Sequence, residues 1–243
     1  MTRDPGSADA HDLPPWIWLI LPFALALGVV AARLVTPDIY LYESWVESER
    51  GVIENGTAVA LFPAIVLGLR ALRYRALLPS GWLTVWLVGL VAAAVLFAGE
   101  EISWGQQWLG WATPDFVLAL NEQGEFNLHN VGKQLTSRTP KSIAGLIVAL
   151  GGVGFPLWQR WRGAYFTRPT DWRTWVAPTR VVVPAAALAV GLSVIDRLAV
   201  WFDLRGLAPL DVDFGELHEL CIALFLTFYV ASIWQRLAAR AAA

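Results

Sequence analysis

The chain has 243 residues, of which 56% are apolar and 16% are charged, and its mean hydropathy is +0.51. An average soluble domain carries about 25% charged residues, so a chain this apolar cannot cover its surface in water. The composition therefore excludes soluble single-domain, disordered, collagen-like and disulfide-scaffold proteins. The single cysteine, Cys221, excludes an internal disulfide and cysteine-rich metal centres.

Six apolar runs are long enough to cross a bilayer, which takes about 20 residues per helix. They cover roughly residues 16–32, 52–72, 82–98, 142–158, 181–201 and 217–234. None alternates as a barrel strand does, so the sequence predicts an all-α polytopic membrane bundle of six helices. Small residues at Gly145, Ala149 and Gly152 share one side of the fourth run and predict close helix packing there.

The expected organisation is a tail over residues 1–15, one membrane domain over 16–235 with a long loop over 100–141, and a tail over 236–243. No basic segment precedes the first run, so we expect it to be retained as a span and not removed as a signal peptide.

The charges predict the orientation of the bundle. If the N-terminus is inside, eleven of the 18 Lys and Arg residues and four of the 20 acidic residues lie on the inner side. Because short cytoplasmic loops carry an excess of Lys and Arg, both termini are predicted to lie in the cytoplasm. The expected location is the inner (plasma) membrane, with the lipid bilayer as the protein's surroundings.

The loop over residues 100–141 is too long to be only a connector. It starts with the run Gly99-Glu-Glu-Ile-Ser-Trp-Gly-Gln-Gln107, and its aromatic residues predict ordered structure with short interfacial helices. If residues 100–111 continue as helix, Trp104, Trp108 and Trp111 form one stripe at the membrane interface. Ser103 and Gln107 would then lie beside Glu100 on the neighbouring side of the helix.

Two parts of this loop resemble a set of bacterial multi-pass membrane proteins. The shared features are the paired acids before Ile-Ser-Trp-Gly-Gln and the later run Gly124-Glu-Phe-Asn-Leu-His-Asn130. The resemblance implies a membrane helical fold and supplies no activity. Alkaline ceramidase-like membrane hydrolases offer a looser analogy, but this chain lacks their paired histidines in the last span.

Glu100 and Glu101 are the candidate catalytic residues. Adjacent carboxylates at the end of a span are costly to desolvate, and they could bind a divalent cation or act as a general base. The alternative is that both are solvated at the headgroup boundary or paired with Arg197.

Four further residues are candidate metal ligands: Glu125, His129, His218 and Glu219. Glu122, Glu125 and His129 are spaced for one helical face, and Glu with His can bind a divalent metal such as zinc. The alternative for His129 is a hydrogen-bonded loop residue. Asp213 and Glu216 form a helix-start pattern in which the acid bonds back to the cap, whereas capping does not explain His218 and Glu219.

Other polar residues are expected to join this cluster: Glu54, Ser103, Gln107, Asn127, Asn130, Asp196, Arg197 and Glu216. Glu54 could instead stabilise the start of its own helix. Asp196 and Arg197 could form a relay or could make structural pairs with neighbouring helices.

Three functions are compatible with this pattern. The first is a membrane enzyme that uses a divalent metal at the outer face on a lipid-like substrate. The second is an accessory or assembly subunit whose acidic, Trp-rich outer loop binds a membrane-protein partner. The third, a small transporter, is disfavoured because no inverted repeat is evident. No basic recognition module is present, so the sequence predicts no nucleic-acid partner.

Overall fold

In a computed structural model, the six predicted apolar runs are six helices, each long and apolar enough to cross a membrane. The structure describes residues 13–48, 51–118, 126 and 138–243, and within these ranges it contains no β-strand. The helices, named α1 to α6 in chain order, are Trp16–Val35, Val52–Leu72, Trp82–Glu101, Ser142–Arg162, Val183–Trp201 and Phe214–Ala242. The chain is a multi-pass membrane protein in contact with lipid, and the predicted all-α class is confirmed.

Short helices flank several of these spans. They are Ile39–Tyr42 and Glu43–Glu47 before α2, Arg75–Leu77 after it, Ser103–Gly105, Gln106–Leu109 and Asp115–Leu118 after α3, and Arg173–Val176 and Arg180–Val182 before α5. The short helices after α3 lie in the long loop in which such elements were predicted.

Helix α6 is the central element of the bundle. In its most apolar window 83% of the residues are buried, whereas the corresponding fraction is 17% in both α1 and α4. It packs against α2 and α5, and α2 packs in turn against α3. The peripheral helices expose large apolar side chains, which lipid tails accept without cost. A polar side chain on α6 is therefore directed into the protein far more often than into lipid.

The small residues of α4 allow close helix contact, as predicted. A Cβ atom built on Gly152 would lie 2.4 Å from the Cβ of Ala186 and 2.8 Å from Cε2 of Phe225. Only hydrogen fits between α4 and its neighbours α5 and α6 at this point. Gly145, seven residues earlier on the same side of α4, lies against the ring of His218.

One end of the bundle, which we call the acidic end, gathers the last residues of α1, α3 and α5 with the first residues of α2, α4 and α6. An ion pair connects two of its segments, since Arg33 Nη2 lies 2.6 Å from Asp211 Oδ2. The same guanidinium donates from Nη1 to the carbonyl of Thr36 at 2.8 Å. Arg33 is only 7% exposed, so this pair fixes the end of α1 to the segment that leads into α6.

The opposite end, which we call the basic end, is held by arginines near the end of α6. Arg240 Nη1 donates to the carbonyl of Leu77 at 2.8 Å, and Arg236 donates to the carbonyl of Thr174. The nearby acid Asp171 is paired with Arg173, and hydrogen bonds from that guanidinium hold the pKa of the Asp171 carboxyl below its usual range. These contacts show that the loops grouped together by the charge analysis do meet at one end of the bundle.

Replacing Gly152 with Leu should destabilise the bundle. The new side chain meets Ala186 and Phe225 at distances that real atoms do not adopt, and overpacking of this kind costs about 1–3 kcal/mol. Gly151→Leu is the matched control, because a Cβ at Gly151 meets nothing within 4 Å. Thermal unfolding in detergent should show a lower midpoint for the first variant and a near wild-type midpoint for the second. Equal midpoints for both would contradict the packing described here.

Candidate functional site

The start of α6 is capped by two acids from different segments. Asp213 Oδ1 accepts hydrogen bonds from the backbone N–H groups of Gly215 at 2.8 Å and Glu216 at 3.4 Å, so its predicted capping role is confirmed. The reciprocal bond was expected from Glu216. Instead, the backbone N–H of Asp213 donates to Glu47 Oε1 at 2.7 Å. Glu47 therefore satisfies the N–H that the helix-start pattern assigned to Glu216.

Glu216 and Glu219 lie one turn apart at the start of α6 and meet Glu101 at the end of α3. One carboxylate oxygen from each of the three residues lies within 4.8 Å of the other two, a spacing that could hold a metal ion. We call these three residues the carboxylate cluster. Glu101 is only 6% exposed, and among the described residues its buried Oε2 has no hydrogen-bond partner. Its side chain is also within hydrogen-bonding reach of Glu219.

The charge on this cluster is the main physical problem of the acidic end. Glu101 experiences the charges of Glu219, Glu216 and Glu54, the last from the first turn of α2. Carboxylates this close cannot all be ionised in a buried place unless a cation lies among them or protons neutralise them. Carboxylate oxygens are hard ligands, which suit divalent cations such as Mg²⁺, Mn²⁺ and Ca²⁺.

The chain leaves α3 through a tight left-handed turn. Ser103, Trp104 and Gly105 have φ values of 45°, 54° and 87°, so helix α3 ends at Glu101, two residues before this turn begins. The prediction of a continuous helix with a tryptophan stripe over residues 100–111 is therefore wrong. The ring of Trp104 lies on Gly99, about 3.0 Å from the place of a Cβ, and its Nε1 donates to Glu100 Oε1 at 2.8 Å.

Because the chain reverses at this turn, the following residues return to α2 instead of continuing along the membrane surface. Trp108 Nε1 donates to Asn55 Oδ1 at 2.7 Å. Gln107 Nε2 lies 3.5 Å from both Glu54 Oε2 and Ser103 Oγ. The turn thus places Glu54, Ser103 and Gln107 beside one another. That they belong to a functional polar cluster stays a prediction.

Further along the loop, Gln106 fixes two segments at once. Its Nε2 donates to Thr113 Oγ1 at 2.6 Å, and its Oε1 accepts the backbone N–H of Phe126 at 2.7 Å. Phe126 in turn packs against Trp111, with ring centroids 5.2 Å apart. The three tryptophans of the predicted stripe therefore have three different environments.

The two predicted catalytic residues have different surroundings although they are adjacent in sequence. Glu101 belongs to the carboxylate cluster, whereas Glu100 accepts the indole N–H of Trp104 at the helix end. Consecutive helical residues differ by about 100° around the axis, which explains the separation. A catalytic role for either residue stays a prediction.

His218 lies against α4. Its ring atoms Cε1 and Nε2 lie 3.6 and 3.7 Å from the place of a Cβ on Gly145 in α4. The group of three acids that could share a metal ion within the described residues does not contain it. Glu125, Asn127, His129 and Asn130 lie outside the described residues, so their predicted roles stay predictions.

The polar pair on α5 does not join the cluster either. Asp196 forms an ion pair with Arg205, which lies in the segment after α5. Arg197 is exposed on the surface of the bundle. Of the interpretations open for Asp196, the structure supports the structural pair, made with the following loop.

Sequence reasoning missed the role of Glu47. Its carboxylate bonds to the backbone of a residue 166 positions away. Nothing in the local pattern around Glu47 indicates this contact, because only the folded bundle brings the lead-in to α2 beside the start of α6.

Comparison with known protein families, with curated proteins and with solved structures finds no match for this chain. The resemblance of the loop to bacterial multi-pass proteins therefore stays a prediction. What is established is a multi-pass helical protein with six candidate membrane spans and a group of buried acids that could bind a metal.

Asp213→Ala should lower the free energy of unfolding by about 1 kcal/mol, because it removes the cap of the helix that carries Glu216 and Glu219. Asp213→Asn is the matched control, since an asparagine oxygen caps a helix almost as well. Thermal or denaturant unfolding in detergent measures both. A loss of the same size in the two variants would show that charge, and not the capping bond, is what matters at this position.

Proposed function

We propose that the protein resides in the inner (plasma) membrane, binds a divalent cation at the carboxylate cluster and uses it on a lipid-like substrate at the outer face. The observation that carries this proposal is the convergence of Glu101, Glu216 and Glu219, in which one buried oxygen of Glu101 has no partner within the part of the chain that the structure describes. Holding two further carboxylates against the buried Glu101 is unfavourable unless a bound cation or protons neutralise the group.

The position of the cluster supports a lipid-directed role. Glu101 is the last residue of α3, and Glu216 and Glu219 belong to the first two turns of α6. These helix ends lie at the depth of lipid headgroups in a bundle that spans the bilayer. A cation held there would polarise a carbonyl or phosphoryl oxygen and would lower the pKa of bound water. Glu100, at the same helix end, stays a candidate base.

The distribution of charge supports the orientation. Exposed arginines on α2, α4 and the connecting segments gather at the basic end; they include Arg70, Arg73, Arg75, Arg160, Arg162 and Arg168. We infer that this end is cytoplasmic and that the acidic end, with the carboxylate cluster, is on the outer side.

A second candidate function is an accessory subunit that binds another membrane protein through the loop after α3. The observation that favours it is the exposure of large side chains in this segment, with Trp108 51% and Leu109 81% exposed. Exposed aromatic and aliphatic groups of this kind are typical of protein contacts as well as of the headgroup region.

Purified wild-type protein should bind a divalent cation, and Glu101→Gln should lose it. Glu43→Gln is the matched control, because Glu43 is an exposed acid at the same end and lies outside the cluster. Elemental analysis gives the stoichiometry, and the unfolding midpoint in detergent with and without Mn²⁺ gives the linked stabilisation, about 2.7 kcal/mol at a hundredfold excess over Kd.

The metal-free Glu101→Gln protein should be at least as stable as the metal-free wild type, because one of several like charges is removed. That comparison separates lost binding from misfolding. Wild-type protein that holds no divalent cation and unfolds at the same temperature with Mn²⁺ or chelator would refute the metal-dependent function and leave the accessory role.

Cysteine labelling tests the orientation. Gly81 and Gly206 are exposed glycines at the basic and acidic ends, and a side chain at either meets nothing within 4 Å. In a Cys221→Ala background, Gly206→Cys should react with a membrane-impermeant maleimide on intact spheroplasts, whereas Gly81→Cys should react only after lysis. The reverse pattern would invert the proposed topology.

A further inference from the structure

The basic end carries a large surplus of positive charge. Residues 70–82, 158–182 and 234–242, which contribute helix ends and loops to it, contain ten arginines, one acid and no lysine. The acid, Asp171, is paired with Arg173. An arginine guanidinium can bind a phosphate through two parallel N–H bonds, whereas a lysine acts as a point charge. The surplus is therefore carried by groups that suit a phosphate ligand.

Two loops of the basic end are held together by Arg240, near the end of α6. Its Nη1 donates to the carbonyl of Leu77 at 2.8 Å and to the carbonyl of Pro169 at 3.3 Å. Leu77 belongs to the connection between α2 and α3, and Pro169 belongs to the connection between α4 and α5. We call residues 73–82 and 163–173 together the arginine platform, because one guanidinium joins the two segments.

A pair of tryptophans joins the same two segments and indicates their depth in the membrane. The ring centroids of Trp82 and Trp172 are 5.5 Å apart, and the two residues are 45% and 49% exposed. A half-exposed indole is most favourable in the headgroup layer, where its ring is sheltered and its N–H meets polar groups. Trp82 is also the first residue of α3. The platform therefore lies at the level of the phospholipid phosphates.

The platform presents two arginines from neighbouring backbones. Arg75 begins the short turn that ends at Leu77, and Arg168 directly precedes Pro169. Because one nitrogen of Arg240 binds the carbonyls of both Leu77 and Pro169, the segments that carry Arg75 and Arg168 lie side by side. Both arginines are exposed, and neither forms an ion pair with a described residue.

We propose that the arginine platform binds the phosphate of an anionic phospholipid, with Arg75 and Arg168 as its contacts. This site goes beyond the proposed function, because it lies at the end of the bundle opposite the carboxylate cluster and needs no metal ion. The charges are complementary, since each arginine close to an anionic membrane surface strengthens binding about fivefold. A lipid also delivers its phosphate at the depth that Trp82 and Trp172 mark.

Arginines that serve only to orient the spans make a different prediction. Such arginines would attract anionic lipid by their charge alone, wherever they lie at the basic end. Arg70 and Arg160, which are exposed on α2 and α4 outside the platform, would then contribute as much as Arg75 and Arg168. In a built site, Arg75 and Arg168 contribute more.

The experiment measures the lipid selectivity of the full-length protein in phosphatidylcholine bilayers, with spin-labelled phosphatidylglycerol observed by electron paramagnetic resonance. The wild type should bind phosphatidylglycerol in preference to phosphatidylcholine. The double variant Arg75→Gln with Arg168→Gln should lower the relative association constant by about tenfold or more, because two arginine contacts are lost.

Two further double variants define the contacts. Arg70→Gln with Arg160→Gln is the matched control and should stay near the wild-type value at physiological ionic strength, because screening confines the attraction to arginines close to the bound phosphate. Arg75→Lys with Arg168→Lys keeps the charge and loses the paired N–H bonds, so it should bind more weakly than the wild type.

Four results would overturn the proposal. Equal losses in the two glutamine pairs would leave only a general attraction of the basic end. Wild-type affinity in the lysine pair would remove the guanidinium contacts. A wild-type protein with no preference for phosphatidylglycerol would exclude anionic lipid as the occupant. Displacement of the labelled lipid by millimolar inorganic phosphate would assign the platform to a soluble phosphate ligand.

The result is separable from misfolding and from the proposed function. Arg75 and Arg168 are exposed, so the unfolding midpoints of their variants in detergent should stay near that of the wild type. The measurements contain no divalent cation, so failure of lipid binding leaves the carboxylate cluster untouched, and failure of cation binding leaves the platform untouched.

Discussion

The burial of negative charge at the start of α6 is the constraint on which the acidic end depends. Glu216 and Glu219 lie at the start of the most buried helix of the bundle, within ligand-sharing distance of the buried Glu101. Asp213 caps this helix and fixes its first turn, and Glu47 satisfies the backbone of the cap. Hydrogen bonds from the backbone to the carboxylates of Asp213 and Glu47 thus help to set the positions of Glu216 and Glu219.

Two arginines at the same end are paired with acids outside the carboxylate cluster. Arg33 is buried and bound to Asp211, and Arg205 is bound to Asp196. Each of these pairs connects a helix to the segment between α5 and α6, so their charges are balanced locally. Electrostatic attraction falls with distance and with screening, so pairs that are already balanced do little for a separate group of buried acids. A bound cation or protons would neutralise the cluster.

The two ends of the bundle are stabilised in different ways. At the basic end, Arg236 and Arg240 donate to backbone carbonyls, which are uncharged acceptors. At the acidic end, the loop after α3 turns back through three left-handed residues and brings polar side chains against α2. The basic end therefore fixes the helices to their loops, whereas the acidic end contains buried oxygens that no described residue satisfies.

The sequence by itself determined the class of the protein, its six spans and the grouping of its charged loops, because span length, apolarity and arginine placement are local properties of the chain. It also determined the cap at Asp213, which depends on residues two and three positions away. The sequence indicated Glu101, Glu216 and Glu219 as candidates together with many other polar residues, and it did not show which of these residues meet in the folded protein. Only the tertiary structure decided that Glu101 enters the site while Glu100 binds an indole, and that Glu219 faces α3 while His218 faces α4. Adjacent helical residues differ by about 100° in direction, and the direction that meets a partner is set by how the helices pack.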